Sequence, residues 1–242
     1  LVIVLLLHDT PESKGLPPIE ELTGEETPGT AHDHGKTSDL QRSVIRNPLV
    51  WVLALSSSFM YISRYAINGW GVLFLQEIKG YTLAAATQVI SVNALCGIVG
   101  TVFSGWLSDA FFHGRRNVLA FGFGVLNTIA LCLFLYSGDG LVVNILSMIL
   151  FGVAIGVLIC FLGGLMAIDI VPREATGAAL GIVGMASYVG AGLQDIVSGW
   201  LINSGKTELD GATSYNFDSA IVFWIAASAV SFILALFVAK KK

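Results

Sequence analysis

The chain has 242 residues, 55% of them hydrophobic and only 12% charged, where an ordinary soluble domain carries about 25% charged residues. A mean hydropathy of +0.77 puts more apolar surface into the chain than a water-soluble core of this size can hide. The net charge of −4 lacks the basic footprint of a nucleic-acid partner.

Residues 1–7 are an apolar run too short to span a bilayer, and the chain opens on Leu1 rather than Met. They read as the end of a truncated transmembrane helix that begins upstream. Residues 8–47 hold eight of the seventeen acids, together with Pro11, Pro17, Pro18 and Pro28. That composition cannot bury a core, so a largely disordered linker is expected, ending in a short amphipathic lead-in near Arg42. His32 and His34 within it are spaced too loosely to define a metal site.

Beyond the linker, charge-free runs cover 80–108, 117–138, 140–168, 175–194 and 219–239, and 47–76 is interrupted only by Arg64. About 20 apolar residues cross a bilayer as a helix. The expectation is therefore an all-α membrane protein with six transmembrane helices at 48–76, 84–110, 117–136, 141–168, 175–203 and 217–239. Backbone groups in lipid must be satisfied within each segment, and no short alternating segments of a β-barrel occur. Six spans put the linker and the C-terminus on one side, with ten Lys and Arg there against Lys79 and Lys206 on the other. The bias predicts that linker and tail are cytoplasmic. Six helices behind a long linker suggest half of a larger transporter, built as two inverted three-helix repeats, 48–136 and 141–239.

Few residues inside the spans carry chemistry. Cys96, Cys132 and Cys160 lie in apolar runs without a metal or disulfide pattern, and read as small buried hydrophobes. No span holds a His, so a membrane enzyme lacks a nucleophile–base pair. Arg64 lies ~24 Å into its helix, where an unpaired arginine costs at least ~2.5–3.5 kcal/mol. It must face a cavity, a partner or a ligand, and its planar fork suits phosphate or carboxylate. Tyr61, Arg64 and Asn68 share one helical face. The alternative to an anion site is a structural pair with Asp195, the one acid deep in another span. Tyr188 and Asp195 are seven residues apart and lie on one stripe. Asp195 could take a proton, pair with Arg64 or contact substrate hydroxyls, or it could sit at the outer rim of a cavity. Asn93, Asn127 and Asn144 fit interhelical hydrogen bonds.

Gly105-Trp-Leu-Ser-Asp109 followed by Gly114-Arg115-Arg116 marks the cytoplasmic end of the second span. Asp109 with the arginines could latch a gate there, or the basic residues could simply anchor the helix end. Together with Tyr61-Ile-Ser-Arg-Tyr65 through Trp70, the stretch Gly97 to Asp109, Val171-Pro-Arg-Glu-Ala-Thr-Gly177 through Tyr188, and Asp9 to Glu20, this motif resembles the major facilitator superfamily. Within it, the chain resembles the organophosphate:phosphate antiporters, which include glycerol-3-phosphate and hexose-phosphate transporters and a sugar-phosphate sensor.

The resemblance implies that residues 1–7 end the family's sixth helix, that 8–47 form the cytoplasmic central loop, and that 48–242 form the C-terminal six-helix bundle. It implies that Arg64 is the phosphate-binding arginine, that Tyr61 and Tyr188 line the same site, and that a second arginine in a missing N-terminal half faces Arg64. The expected activity is exchange of a phosphorylated small molecule for inorganic phosphate by alternating access, without a cofactor, in a bacterial inner membrane. A sensor of the same fold, or a carrier of another small anion or sugar, is the alternative. Family transporters often carry acids at the positions of Gly69 and Ala94, and Asp195 could stand in for one of them.

Overall fold

A computed structural model describes residues 41–112, 116–172, 175–209 and 212–238, with Gly15 and Pro17; at 109–112, 208, 209, 212 and 213 it describes the backbone alone. The expectations for residues 1–7, His32, His34 and most of the linker lie outside these residues. The chain divides into two units, Leu1–Ser38 and Asp39–Lys242. In the first, Gly15 occupies a turn with φ +71°, which a glycine adopts without penalty.

The second unit is a six-helix bundle: α1 (Pro48–Glu77), α2 (Leu83–Phe112), α3 (Arg116–Tyr136), α4 (Leu141–Ile170), α5 (Thr176–Ser204) and α6 (Asp218–Phe237). All six are long and apolar enough to cross a membrane, as the charge-free runs predict. Their apolar residues go all the way round because one side meets protein and the other lipid. Each boundary has a local cause. Asn47 accepts from the Leu49 N–H at 3.0 Å and Pro48 sits at the first helical position, so α1 starts there. Gly80, at φ +69°, reverses the chain and lets the Tyr81 N–H return to the Leu75 carbonyl at 3.0 Å.

Exchanging α1 with α4, α2 with α5 and α3 with α6 maps the main helix contacts onto themselves. α2 packs on α4 as α5 packs on α1, α3 packs on α4 as α6 packs on α1, and α3 meets α6 at the middle. Burial follows the same exchange. In the apolar stretches of α2 and α5 28% is buried, against 56% and 61% in α1 and α4. This is the two-repeat arrangement expected from six spans.

Without a hydrophobic drive between helices in lipid, small residues and polar pairs hold the bundle together. At the α2–α4 crossing a Cβ on Gly156 would collide with the Gly97 carbonyl, and one on Gly100 with the Val153 carbonyl, so backbone lies on backbone. Asn127 donates to Ser228 at 2.8 Å and to Ser63 at 3.3 Å, joining α3 to α6 and α1. Ser56 and Ser231 each donate to the other's carbonyl, at 2.9 and 2.8 Å.

Two features go beyond the sequence reading. Residues Phe161–Leu165 of α4 form one π turn around Gly163 and Gly164, two residues that weaken helix pairing locally. Between α5 and α6 lies an antiparallel hairpin, β1 (Thr207–Leu209) and β2 (Ala212–Ser214), with Thr207 opposite Ser214. The bundle thus has a hairpin end and, where α1 starts and α4 stops, a basic end.

At the hairpin end Lys79 is enclosed. Its Nζ donates to the Phe134 carbonyl, to Asn144 Oδ1 at 2.6 Å and to Ser137 Oγ at 3.3 Å. The Phe134 and Phe74 rings lie 5.0 and 5.6 Å away. Asn144 also donates to the Tyr81 hydroxyl at 3.1 Å, and Tyr81 donates to the Asp139 carbonyl at 2.7 Å. Burial lowers the Lys79 pKa to about 8, and the nearby Asp139 carboxylate opposes that shift.

Candidate functional site

Arg64 is the seventeenth of thirty residues in α1, ~20 Å or more from either helix end at 1.5 Å per residue. It is held by aromatic rings. Its Cζ lies 5.5 Å from the centroid of Tyr61 and 5.5 Å from that of Tyr65, and the two rings stack at 5.8 Å. Desolvated cation–π contacts contribute up to ~2 kcal/mol or more, and the rings fix the plane of the guanidinium. Tyr61 also meets Tyr188 of α5 edge to face at 5.6 Å.

Among the described residues no carboxylate pairs with Arg64. Among the described residues the ion pair is Arg116 with Asp169, and the expected alternative, Arg64 with Asp195, does not form. Arg64 instead lines a cavity of about 340 Å³ at the junction of α1, α2 and α4. The polar part of its wall is Arg64, Asn68, Asn93 and Thr101; the apolar part includes Ile98, Val102, Ile155 and Ile159. Asn93 donates to Asn68 Oδ1 at 3.4 Å and to the Ile90 carbonyl at 2.7 Å, which fixes both amides. Thr101 donates to the Gly97 and Gly156 carbonyls at 2.9 and 3.1 Å. Gly97 and Gly156, whose contact sets how closely α2 approaches α4, floor the cavity. One fixed cation, two amides and no carboxylate in the wall suit a small anion with a short polar body.

The structure brings together Arg64 and Asn68 in the cavity wall, with Tyr61 against the guanidinium and Tyr188 edge-on to Tyr61. Asp195 does not line this cavity. Its Oδ1 stands 3.4 Å from where a Cβ at Gly69 would lie, on the flank of α1 turned toward α5. A carboxylate therefore occupies the space beside position 69. Asn93 and Thr101 also line the cavity, and Tyr65 lies against Arg64. Tyr65 was legible as the neighbour of Arg64, but Thr101 had no signal beyond its place in a glycine-rich helix.

At the basic end, Gly114 and Arg115 lie outside the described residues, as does the side chain of Asp109. Gly105 has open space where a Cβ would lie. Arg116 donates to Asp169 Oδ1 at 2.8 Å and to the Leu165 carbonyl at 3.1 Å. It thus ties the start of α3 to the π turn and last turn of α4. Sequence reasoning grouped Arg116 with Asp109; its partner here comes from 53 residues along the chain.

Six helices long and apolar enough to cross a membrane, with a guanidinium cavity midway along one of them, define an integral membrane protein. Residues 1–194 match the profile of the Major Facilitator Superfamily, and the chain belongs to that family. It is similar to the glycerol-3-phosphate transporter of Bacillus subtilis, 35% identical over 198 residues, which cover 78% of this chain and 44% of that protein. It is 35% identical over 214 residues to the probable hexose phosphate transport protein of Chlamydia pneumoniae, covering 79% and 45% of the two chains. It is 32% identical over 209 residues to the membrane sensor protein UhpC of Salmonella typhimurium, covering 83% and 45%. The chain spans just under half the length of these relatives.

Proposed function

We propose that the chain is the C-terminal half of a carrier that moves phosphorylated small molecules, such as glycerol-3-phosphate or a sugar phosphate, in exchange for inorganic phosphate. The observation that carries this reading is Arg64: a guanidinium midway along a membrane-length helix, set against two tyrosines, open to a cavity and paired with no acid among the described residues. Ionisable groups at that depth mark a transport pathway by default. Asn68 and Asn93 serve the substrate's hydroxyl or ester oxygens, Tyr61 and Tyr188 line the same substrate site, and Tyr61 and Tyr65 lie against Arg64. Asp195 restores a carboxylate beside Gly69 and would engage substrate hydroxyls once the cavity is completed by a second six-helix half. Gly105, Asp109, Gly114, Arg115 and Arg116 form the gate at the basic end, which faces the cytoplasm of a bacterial inner membrane with the linker and tail. Arg116 on Asp169 is the part of that gate this half supplies by itself. The relatives named as transporters support the substrate class, and no cofactor or reaction chemistry is required.

The test uses the complete carrier in proteoliposomes loaded with phosphate, following uptake of labelled glycerol-3-phosphate and a labelled hexose phosphate. Uptake that depends on internal phosphate and is lost in Arg64→Lys supports exchange at a forked cation site, since lysine keeps the charge but not the fork. Uptake of a neutral sugar indifferent to Arg64→Lys would overturn it. Tight phosphate-ester binding without uptake would favour the second reading, a sensor, which the likeness to a membrane sensor protein keeps in view.

A further inference from the structure

Residues 41–46 form a separate short helix that joins α1 through Asn47, whose extended backbone (φ −78°, ψ 112°) turns the chain. The helix is fixed in place: Val44 is 1% exposed, and Asn47 Nδ2 donates to the Ile170 carbonyl at the end of α4 at 3.3 Å. Because α1, long and apolar enough to cross a membrane, starts at Pro48, this helix belongs at the membrane boundary. Its outer surface is divided. Ile45 and Trp51 are 55% and 52% exposed, and the indole N–H is satisfied by the Ile45 carbonyl at 2.7 Å, so an oriented apolar ring faces outward. Interfacial tryptophans of this kind sit at headgroup depth.

Beside that apolar edge are Arg42 and Arg46, both exposed and both without an ion-pair partner among the described residues. With Ser43 and Asn47 they surround a concavity of about 430 Å³. Like charges one helical turn apart repel, and a shared anion converts that repulsion into attraction. The anion that fits has an apolar body adjoining its charge, because the cations and the apolar edge are contiguous.

We propose that Arg42 and Arg46 bind the phosphate of an anionic phospholipid headgroup, with Ile45 and Trp51 against the glycerol and upper acyl region of the same lipid. The site is independent of the transport reading, because it uses no residue of the Arg64 cavity. Basic residues at a membrane surface each favour anionic lipid by about fivefold.

The experiment reconstitutes the full protein with dibromo-phosphatidylglycerol or dibromo-phosphatidylcholine and reads tryptophan quenching, with Trp51→Phe isolating the signal of that ring. The expected result is at least about fivefold preferential quenching of Trp51 by the glycerol lipid, weakened by salt. The preference should be lost in Arg42→Gln/Arg46→Gln, with phosphatidylcholine quenching unchanged as the control for correct insertion. Equal quenching by the two lipids in the wild type overturns the proposal, as does a preference that survives the double substitution. A preference removed by millimolar inorganic phosphate would assign the pair to a free anion instead and overturn the lipid.

Discussion

Lys79 and Arg64 are both cations set against pairs of aromatic rings, and they differ in what else they touch. Lys79 Nζ spends its donors on the Phe134 carbonyl, Asn144 and Ser137, joining the α1–α2 turn to the end of α3 and the start of α4. Arg64 has its two tyrosine rings at 5.5 Å and a cavity in place of a carboxylate. A cation whose donors are all used by the protein is a fastener. One set against aromatic rings and bordering a cavity is prepared for something that arrives. The difference lies in the inventory of partners and not in depth, charge or aromatic contact, and it makes opposite predictions for function and stability at the two positions.

The largest effect is expected at the open cation. Arg64→Ala should lower phosphate-ester exchange by at least about 100-fold, the scale for losing a charge-assisted, forked contact to a desolvated anion. The thermal midpoint of the purified protein should shift little, since no protein acid is left unpaired. A collapse of stability matching the loss of exchange would place Arg64 among the fasteners. The reverse is expected of Lys79→Met. Removing the ammonium leaves the Phe134 carbonyl and Asn144 Oδ1 without their donor, at about 2 kcal/mol, and thermal denaturation should report it. Exchange per folded molecule should stay within about twofold; a deeper loss would mean that Lys79 takes part in the cycle.

A smaller change at the open site separates orientation from charge. Tyr65→Leu keeps Arg64 and its cavity but removes one of the two rings against the guanidinium. The lost cation–π contact is worth about 0.5–1 kcal/mol, so half-saturation for phosphate should rise two- to fivefold by that estimate. An unchanged value would show that Tyr61 alone sets the plane.

How far the sequence reaches differs along the same line. The six spans were legible because lipid demands about 20 apolar residues per crossing, and each observed helix begins and ends within a few residues of its expected span, α5 running on past Asp195. Arg64 was legible because a charge within a span is conspicuous. Its lack of an acidic partner was not, since Asp195 looked available until the fold set it against Gly69. The Lys79 cage was illegible for the same physical reason: its partners come from 55 to 65 residues away, and Lys79 by itself reads as one loop charge. Asp169 as the partner of Arg116 is a third instance. Local signals existed for two features that the periodicity passed over, namely Gly163-Gly164 for the π turn and Asp210-Gly211 between the hairpin strands. What a residue is made of is written locally, but what it is paired with depends on the contacts between α-helices that only the assembled bundle supplies.

The smallest predicted effect follows from the enclosure of Lys79. Burial brings its folded-state pKa down from 10.5 to about 8, with Asp139 acting in the opposite sense. Between those two values the unfolded chain holds a proton that the folded protein has released. Stability must therefore rise with pH across this window, and below about pH 8 this contribution is absent because both states are protonated. The effect is muted by the partial exposure of the site and by the carbonyl acceptors, which favour the charged form. It should nevertheless appear as a shallow upward slope of the thermal midpoint from pH 8 toward 10.5 that Lys79→Met flattens. Asp139→Asn should begin the slope at lower pH, because it removes the charge that opposes the shift. A slope unchanged by either substitution would show that another group titrates there, and that Lys79 keeps its proton in the cage throughout.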